Sequence, residues 1–161
     1  MYGTDEQQRH YLPEMAKGNI IATACITEAQ SGSDIRNVET TATMSDTDPN
    51  TYVINGKKMW VTNGLNANVF LVYCKTKERH SSEDYDDRFS FFLVHRDTPG
   101  VTISPPVSTL GLRGLGLTHV EFKDVKVNAV QHLIGQLGEG MNVLRNLHGY
   151  VRTTLAGRKI E

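Results

Sequence analysis

A short run of small polar residues, Ser31-Gly32-Ser33-Asp34, follows a largely apolar stretch that ends at Thr27 and Glu28. Gly32 has no Cβ, so a ligand can approach the main chain there. The Ser33 hydroxyl and neighbouring backbone N–H groups can donate hydrogen bonds to an anion such as a pyrophosphate. The same residue types are common in ordinary turns. The segment therefore predicts either an anion-binding loop or a turn.

The only tryptophan of the chain, Trp60, lies two residues before Thr62. In a β-strand, residues i and i+2 share a face, so the indole and the hydroxyl would line one patch. Such a patch suits a flavin, because reduced flavin gathers negative charge at its N1 edge and needs donors there, with an aromatic plane that excludes water. The alternative is structural: Trp60 fills the core of a barrel and Thr62 merely favours a strand.

The histidines and cysteines do not predict a metal site. The six histidines include no pair at ligand spacing with a third ligand nearby, and Cys25 and Cys74 are far apart. Both cysteines lie in apolar runs, which is typical of buried thiols in a reducing compartment. We expect His119 and His148 to be partly buried structural residues. Arg113 fits a structural ion pair or a flavin contact equally well.

Length and charge limit the classes of protein to consider. A chain of 161 residues fits one domain with a real core. Lys and Arg number 17 against 18 Asp and Glu, a formal net charge of -1, which does not favour nucleic acid or anionic lipid as a partner. No apolar stretch reaches the roughly 18 to 20 residues that span a bilayer, and the first twenty residues lack the apolar region of a signal peptide. We expect a soluble protein.

Both ends of the chain predict helices, which would flank the chemistry-bearing segments. Thr4 and Gln7 form a capping box that starts a helix running to about Leu12, before Pro13. After Gly138, residues of one helix face recur every three or four positions: Met141, Leu144, His148, Val151 and Leu155. The second helix is expected to run to the end of the chain.

The middle of the chain predicts β-strands. Residues 20–26 predict a buried strand, and the runs 51–54 and 57–62 flank Asn55-Gly56, the strongest two-residue hairpin pattern. Further strands are expected at 69–74, 89–94, 101–104 and 119–122, with a solvated, charged loop at 77–88. The expected fold is mainly β, an antiparallel barrel or sandwich flanked by a short N-terminal helix and a C-terminal helix.

Nearly the whole chain resembles the acyl-CoA dehydrogenase family, whose motifs it carries in order and at matching spacing. These motifs are Tyr2-Gly3-Thr4, Tyr11-Leu12-Pro13, Ile26-Thr27-Glu28, Gly32-Ser33-Asp34, Asn55-Gly56-Lys57-Lys58-Met59-Trp60-Val61-Thr62-Asn63-Gly64, Thr98-Pro99-Gly100, Leu110-Gly111-Leu112-Arg113-Gly114, Phe122-Lys123-Asp124-Val125 and Gly138-Glu139-Gly140. Any one of them is common, but their shared order is hard to reconcile with chance.

The resemblance implies a subunit of three parts: a helical domain, a central β-barrel, and a helical bundle that mediates tetramer formation. Residues 1–17 would be the end of the first part, 18–137 the middle β-barrel domain, and 138–161 the first helix of the third part. The resemblance also implies FAD as cofactor, acyl-CoA as substrate and electron-transfer flavoprotein as electron acceptor. The location implied is the mitochondrial matrix, or the cytoplasm in a bacterium.

By position, the resemblance also assigns site residues. Those implied to contact FAD are Ala24, Cys25, Ile26, Thr27, Gly32, Ser33, Trp60, Val61 and Thr62. Thr27 would lie near the pyrimidine edge, Trp60 would cover the ring and Thr62 would lie near N5. Ser33 would point toward the phosphates and the CoA moiety, and Arg152 resembles the family's helix arginine near the substrate.

The reaction that the resemblance implies needs a carboxylate base. The base removes the proton α to the thioester carbonyl while the β-hydride passes to flavin N5, which leaves a trans-2-enoyl thioester. In a minority of the family the base precedes the helix arginine, but here that position is Val151, so we expect the base beyond Glu161 and no activity from this chain alone. The alternatives are an acyl-CoA oxidase and a non-catalytic barrel, which Val151 and Gly149 would suit.

Overall fold

The computed structural model describes residues 2–77 and 88–157 and shows a mainly β fold with a helix at each end. The predicted loop at 77–88 and the last residues of the predicted C-terminal helix therefore lie largely outside the described residues. In chain order the elements are α1 (Asp5–Ala16), β1 (Ala22–Cys25), β2 (Thr41–Met44), β3 (Thr51–Val61), β4 (Val69–Lys77), β5 (Phe89–His95), β6 (Val101–Ile103), β7 (Thr118–Asn128), α2 (Ala129–His132), β8 (Leu133–Ile134) and α3 (Gly140–Gly157), with 3-10 turns at Ile35–Asn37 and Arg113–Leu115.

The strands of the described ranges form one sheet in the order β6-β7-β3-β2-β4-β5-β8, with β1 also paired to β4. The predicted mainly β fold between two helices is confirmed, but the sheet is not purely antiparallel. Strand β4 takes two parallel neighbours, β1 along its first half and β2 along its second half. The other pairings are antiparallel.

The sheet curls around a single main core. The rings of Tyr52 on β3 and Phe92 on β5 lie 5.3 Å apart between centroids, although two strands separate β3 from β5 in the sheet. Phe70 on β4 and Phe122 on β7 likewise meet at 6.4 Å. Because strands distant in the sheet share one buried cluster, the two halves of the sheet face each other across the core. Outward-facing residues are thereby left on a convex surface.

The predicted hairpin at Asn55-Gly56 is wrong, because both flanking runs belong to the single strand β3. Ile54 pairs with Val125 and Gly56 pairs with Phe122, so two residues of β7 lie opposite the single residue Asn55 of β3 and form a bulge. The Asn-Gly pair therefore lies inside a strand and not in a turn.

Asn55 and Gly56 each serve this bulge. The Asn55 side chain accepts a hydrogen bond from the Asp124 amide at 2.8 Å and donates one to Asp124 Oδ1 at 3.2 Å. Asp124 has a φ of 53°, so the bulged residue takes the left-handed conformation. A Cβ at position 56 would lie 2.6 Å from the Thr40 Cα, which leaves room only for glycine. Asn55 and Gly56, two residue types that are common in turns, thus stabilise a bulge and allow β3 to contact Thr40 closely.

Two further element boundaries differ from the prediction. Strand β1 contains only Ala22–Cys25, and of these only Cys25 is buried. Helix α1 continues through Pro13 to Ala16. Pro13 has no N–H to donate to the Arg9 carbonyl, but Arg9 is exposed, so the missing hydrogen bond is tolerated there. The predicted capping box is confirmed, with Gln7 N donating to Thr4 Oγ1 at 3.2 Å and Thr4 N to Gln7 Oε1 at 2.9 Å.

Helix α1 packs on the sheet through two polar contacts. Gln7 Nε2 donates to the carbonyls of Gln131 and Leu133, both at 2.9 Å. The Tyr11 hydroxyl and His95 Nε2 are hydrogen-bonded at 2.8 Å, and Tyr11 is buried. These contacts join the helix to β5 and to the segment that ends in β8.

Helix α3 packs through its first turns only. A Cβ at Gly140 would lie 2.6 Å from the Phe89 main chain, so glycine lets the helix start directly against β5. Met141, Val143 and Leu144 are buried in a second cluster, whereas Val151 and Leu155 are exposed. The predicted amphipathic pattern therefore extends into the second half of α3, where its apolar residues have no packing partner among the described residues.

Both cysteines are buried and free, as expected for thiols of a core. Burial raises the pKa of Cys25 and of Cys74 to about 12, so neither is ionised near neutral pH. Among the described helices, none is long and apolar enough to cross a membrane.

Candidate cofactor-binding face

The two stretches that carry chemistry in the sequence lie side by side. The Met59 amide donates to the Thr27 carbonyl at 2.8 Å, and the Thr23 hydroxyl donates to the Thr62 carbonyl at 2.7 Å. The end of β1 with its following loop is thus bound to the end of β3. We call residues 24–33 and 60–62 together the candidate face.

Trp60 lies on the outside of the sheet, with 51% of its surface exposed. Strict alternation along β3 would place it on the same side as buried Tyr52, Ile54 and Lys58. A second bulge prevents this, because Lys58 pairs with Val120 and Val61 pairs with Thr118, so β3 contains one extra residue. Val61 turns into the core and Trp60 turns out. The alternative in which Trp60 fills the core is therefore wrong.

The backbone at Trp60 is strained, and a neighbouring ring supports its side chain. Its φ of 56° lies in the left-handed region, which a bulky non-glycine residue rarely adopts. Such a conformation costs on the order of 1 kcal/mol and clusters at ligand-binding and active sites. The His119 ring meets the indole edge-on, with centroids 5.3 Å apart and planes at 75°. His119 is partly buried, as expected, and His148 also is.

Thr62 is exposed, like Trp60, but it lies in a turn just beyond the end of β3. The two side chains are therefore exposed through the bulge and the turn and not through simple strand alternation. Val61 and Cys25 are at most 1% exposed, so they can offer a ligand only backbone atoms. Ala24, Ile26 and Thr27 are partly exposed.

The Ser31-Gly32-Ser33-Asp34 segment combines a turn with an open stretch. The Glu28 amide donates to the Ser31 carbonyl at 2.9 Å, and the Ser31 amide donates back to the Glu28 carbonyl at 3.2 Å. Gly32 and Ser33 follow this turn and are exposed, and no heavy atom lies within 4 Å of the position that a Gly32 Cβ would take. A ligand can therefore approach the main chain at Gly32.

A buried ion pair lies beneath the candidate face. Lys58 Nζ and Glu28 Oε1 are 2.7 Å apart, and their side chains are 0% and 3% exposed. Lys58 Nζ also donates to the Ile26 carbonyl at 3.0 Å. The Glu28 carboxylate accepts further hydrogen bonds from the amides of Glu39 at 2.6 Å and Thr40 at 3.0 Å. The loop after β1 is thus tied to both β3 and the start of β2.

The surroundings of this pair shift the pKa values of both groups. Burial alone would raise the pKa of the Glu28 carboxyl, but the Lys58 charge and the hydrogen bonds from Lys58, Thr40 and Glu39 outweigh it and lower that pKa. Burial lowers the pKa of the Lys58 ammonium, and the Glu28 charge opposes that shift. The short contact between the two groups is typical of a charge-assisted hydrogen bond.

Glu28 and Lys58 both lie in motifs shared with the family, but the sequence alone assigns neither a role. Lys58 shares the alternation parity of Tyr52 and Ile54 within β3, which would have placed its charge inside the sheet. A buried lysine requires an acidic partner, and Glu28 and Asp34 are the acids in or next to the chemistry-bearing loop. Those two steps would have narrowed the partner of Lys58 to two candidates.

The two arginines named from the sequence lie away from these contacts. Arg152 is exposed in the second half of α3, and Arg113 is exposed in a 3-10 turn where its Nε donates to the Thr109 carbonyl at 3.4 Å. Within residues 2–77 and 88–157, no hydrogen bond or ion pair joins either side chain to the candidate face. In the same residues, no group of three His, Cys, Asp or Glu side chains could hold a metal ion.

Comparison with known proteins identifies the family to which this fold belongs. Residues 23–125 match the family model described as acyl-CoA dehydrogenase, middle domain. The chain is 34% identical over 162 residues to the mitochondrial very long-chain specific acyl-CoA dehydrogenase of Rattus norvegicus, which covers 98% of the chain and 24% of the relative. The chain belongs to the acyl-CoA dehydrogenase family, and it spans about a quarter of the length of that relative.

Solved structures agree with this family. An acyl-CoA dehydrogenase from Geobacillus kaustophilus superposes with a TM-score of 0.82 at 35% identity, covering 90% of the chain and 37% of that protein. An acyl-CoA dehydrogenase from Bacillus anthracis, solved in complex with FAD, superposes with a TM-score of 0.80 at 34% identity over 91% of the chain and 24% of that protein.

Proposed function

We propose that this chain is the flavin-binding part of an FAD-dependent acyl-CoA dehydrogenase that oxidises the α,β-bond of acyl-CoA thioesters to trans-2-enoyl-CoA. The observation that carries the proposal is the exposed, strained Trp60, next to which two hydrogen bonds join the chain around the end of β3 to β1 and its loop: from the Met59 amide to the Thr27 carbonyl and from the Thr23 hydroxyl to the Thr62 carbonyl. The bound FAD of a related structure and the open approach at Gly32 support it. In this proposal residues 1–17 end a preceding helical domain and 138–161 begin a following one.

The residues of the candidate face fit the requirements of FAD. The indole of Trp60 would cover one side of the ring and exclude water, and the hydroxyls of Thr27 and Thr62 would donate along its polar edges. Ser33 and the backbone at Gly32 would hold the pyrophosphate. When bound, FAD supplies the hydride acceptor that no protein side chain can replace.

The base that removes the α-proton is not among these residues. Position 151, which precedes Arg152 on α3, is an exposed valine that cannot accept a proton. We therefore place the base, a glutamate, beyond Glu161 in the complete protein. The 161-residue chain should not oxidise any acyl-CoA in the presence of FAD and an artificial electron acceptor, and measurable turnover would refute this assignment.

The partners belong to the complete protein. Ser33 and Arg152 would contact the acyl-CoA, electron-transfer flavoprotein would accept the electrons, and the following helical domain would assemble a homotetramer. The exposed apolar residues in the second half of α3 fit a helix that packs against further chain. The location would follow the source: mitochondrial matrix in a eukaryote, cytoplasm in a bacterium.

Titration of the purified chain with FAD tests the flavin part of this proposal. Trp60 is the only tryptophan, so its fluorescence reports directly on a ring bound against the indole. We expect saturable quenching by FAD, with FMN binding more weakly because it lacks the pyrophosphate that Ser33 and Gly32 would hold. Equal affinity for both flavins would remove the pyrophosphate loop from the site, and no saturable quenching would contradict flavin binding by this chain.

A further inference from the structure

The buried Glu28–Lys58 pair connects the two halves of the candidate face. Glu28 directly follows Thr27 in the loop after β1, and Lys58 lies two residues before Trp60 in β3. Their 2.7 Å contact is almost fully buried, so it is shielded from water and salt. One ion pair therefore joins the main chain that carries Thr27 to the strand that carries Trp60.

The hydrogen bonds around the pair fix the main chain on both sides of Thr27. Lys58 Nζ donates to the Ile26 carbonyl at 3.0 Å, and the next residue of β3, Met59, donates its amide to the Thr27 carbonyl at 2.8 Å. The following residue, Glu28, is held through its carboxylate by Lys58. Three consecutive residues of the loop are thus held by two consecutive residues of β3.

The second carboxylate oxygen holds the rest of the loop. Glu28 Oε2 accepts from the Gln30 side chain at 2.7 Å and from the Glu39 amide at 2.6 Å, while Oε1 also accepts from the Thr40 amide at 3.0 Å. Residues 28–40, which include Gly32 and Ser33, therefore form a loop whose two ends are held together by the Glu28 carboxylate.

Stability alone does not account for such a pair. Replacing a buried ion pair by neutral groups of similar size is often neutral or stabilising, because removing two charges from water is costly. The arrangement is explained if the pair fixes geometry, since four donor groups make five hydrogen bonds to one carboxylate and one carbonyl directly beneath the candidate face.

We propose that the Glu28–Lys58 pair is a positioning pair that sets the separation between the Thr27 loop and the Trp60 strand, and so shapes the flavin site. This inference rests on the proposed function. Neither residue touches the flavin in this account; both act through the main chain at Ile26, Thr27 and Met59.

The test compares two double variants of the 161-residue chain. Glu28→Gln with Lys58→Met removes both charges at nearly unchanged volume, and Glu14→Gln with Lys17→Met removes the same charge types from the exposed ion pair of α1. Amide hydrogen exchange of Met59, Glu39 and Thr40 is measured without flavin, and FAD affinity is measured by titration. Single Lys58→Met is included because it leaves Glu28 buried without its cation.

In the buried double variant we expect exchange at these three amides to accelerate about tenfold or more and FAD affinity to fall about tenfold or more, since charge-assisted hydrogen bonds are lost. Exchange in the centre of β4 and β5 should stay unchanged, as should all readouts of the exposed double variant. The buried double variant should regain the thermal stability lost in Lys58→Met without regaining FAD affinity, which separates positioning from stability.

Unchanged exchange at the three amides, or wild-type FAD affinity in the folded buried double variant, would overturn the inference. If the wild-type chain itself binds no FAD, the proposed function fails, and the exchange measurement alone then decides whether the pair holds the loop. If the buried double variant does not fold, Glu28→Asp replaces it: this variant keeps both charges but shortens the acid, and the same outcomes apply.

Discussion

Trp60 combines an exposed indole, a left-handed backbone and an edge contact with His119. A large apolar side chain gains free energy by burial, and a bulky residue avoids positive φ, so both preferences are violated at one position. Glycine would adopt this backbone without strain. The tryptophan is best explained by a ligand that covers the indole.

Trp60→Gly should therefore separate binding from stability. The substitution relieves the strained φ but loses the contact with His119, so we expect the free energy of unfolding to change by no more than about 1 kcal/mol. FAD affinity should fall at least about tenfold, or about 1.4 kcal/mol. Chemical denaturation and calorimetric titration measure the two quantities. A large loss of stability would mean that Trp60 serves the fold, and unchanged FAD affinity would remove it from the site.

At this scale the sequence suggested a shared face for Trp60 and Thr62, but not the backbone geometry that exposes them. Trp60 and Thr62 are exposed together, yet the alternation that suggested their shared side is broken by the bulge before Val61. Bulges depend on pairing with a distant strand, here β7, which local patterns do not encode. The Glu28–Lys58 contact was missed for a related reason, because it joins residues 30 positions apart.

At the scale of elements, the two bulges between β3 and β7 compensate each other. One extra residue lies in β7 near Asp124 and one in β3 near Trp60, so the register is shifted by one residue between them and restored beyond them. The local Asn-Gly pattern predicted a hairpin, but the pairing of β3 with β7 overrides it. The two terminal helices and strands β4 and β5 were predicted correctly from capping residues and apolar patterns. Such patterns depend only on neighbours in sequence.

Gly56→Ala should destabilise the chain through this bulged pairing. The added Cβ would lie 2.3 to 2.6 Å from Thr40, partly against its backbone Cα, so β2 or β3 must shift. We expect a loss of about 1 to 3 kcal/mol in the free energy of unfolding, as for overpacking elsewhere. Gly32→Ala is the matched control, since its Cβ meets nothing within 4 Å and stability should change by less than about 0.5 kcal/mol. Equal effects of the two substitutions would contradict the close contact at Gly56.

The docking of α1 should depend on pH through His95. Burial lowers the pKa of His95, the charges of His132 and His10 lower it further, and Asp97 opposes them. A histidine whose pKa is lower in the folded state resists a proton that the unfolded state accepts. Its contribution to stability is therefore present above about pH 6.5 and is lost as pH falls through the folded pKa.

Thermal unfolding between pH 7.5 and pH 5 tests this expectation. His95→Gln keeps a hydrogen-bonding side chain opposite Tyr11 but cannot titrate, so the decrease in unfolding temperature toward acid should become smaller. His148→Gln, on α3 and outside the Tyr11 contact, should retain the wild-type pH dependence. A pH dependence that is identical in wild type and His95→Gln would show that other groups are responsible.

At the scale of the whole molecule, the chain presents the proposed flavin face on the fold of its family's middle domain. It spans about a quarter of the length of a related dehydrogenase, and the second half of α3 has exposed apolar residues. The family and the mainly β fold were evident from ordered motifs along the chain. Substrate choice was not, because Arg152 lies in the second half of α3, where the apolar residues Val151 and Leu155 stay exposed in the described structure.

The most direct test of the central claim is to map where FAD binds on this chain. Backbone amide chemical shifts of the ¹⁵N-labelled protein, recorded during titration with FAD, report the binding surface residue by residue. We predict that the largest changes fall on residues 24–33 and 60–62, with smaller changes at His119, whose ring contacts Trp60. Saturable changes that cluster elsewhere, for example around Tyr11 and His95, would contradict the assignment of the flavin to this face.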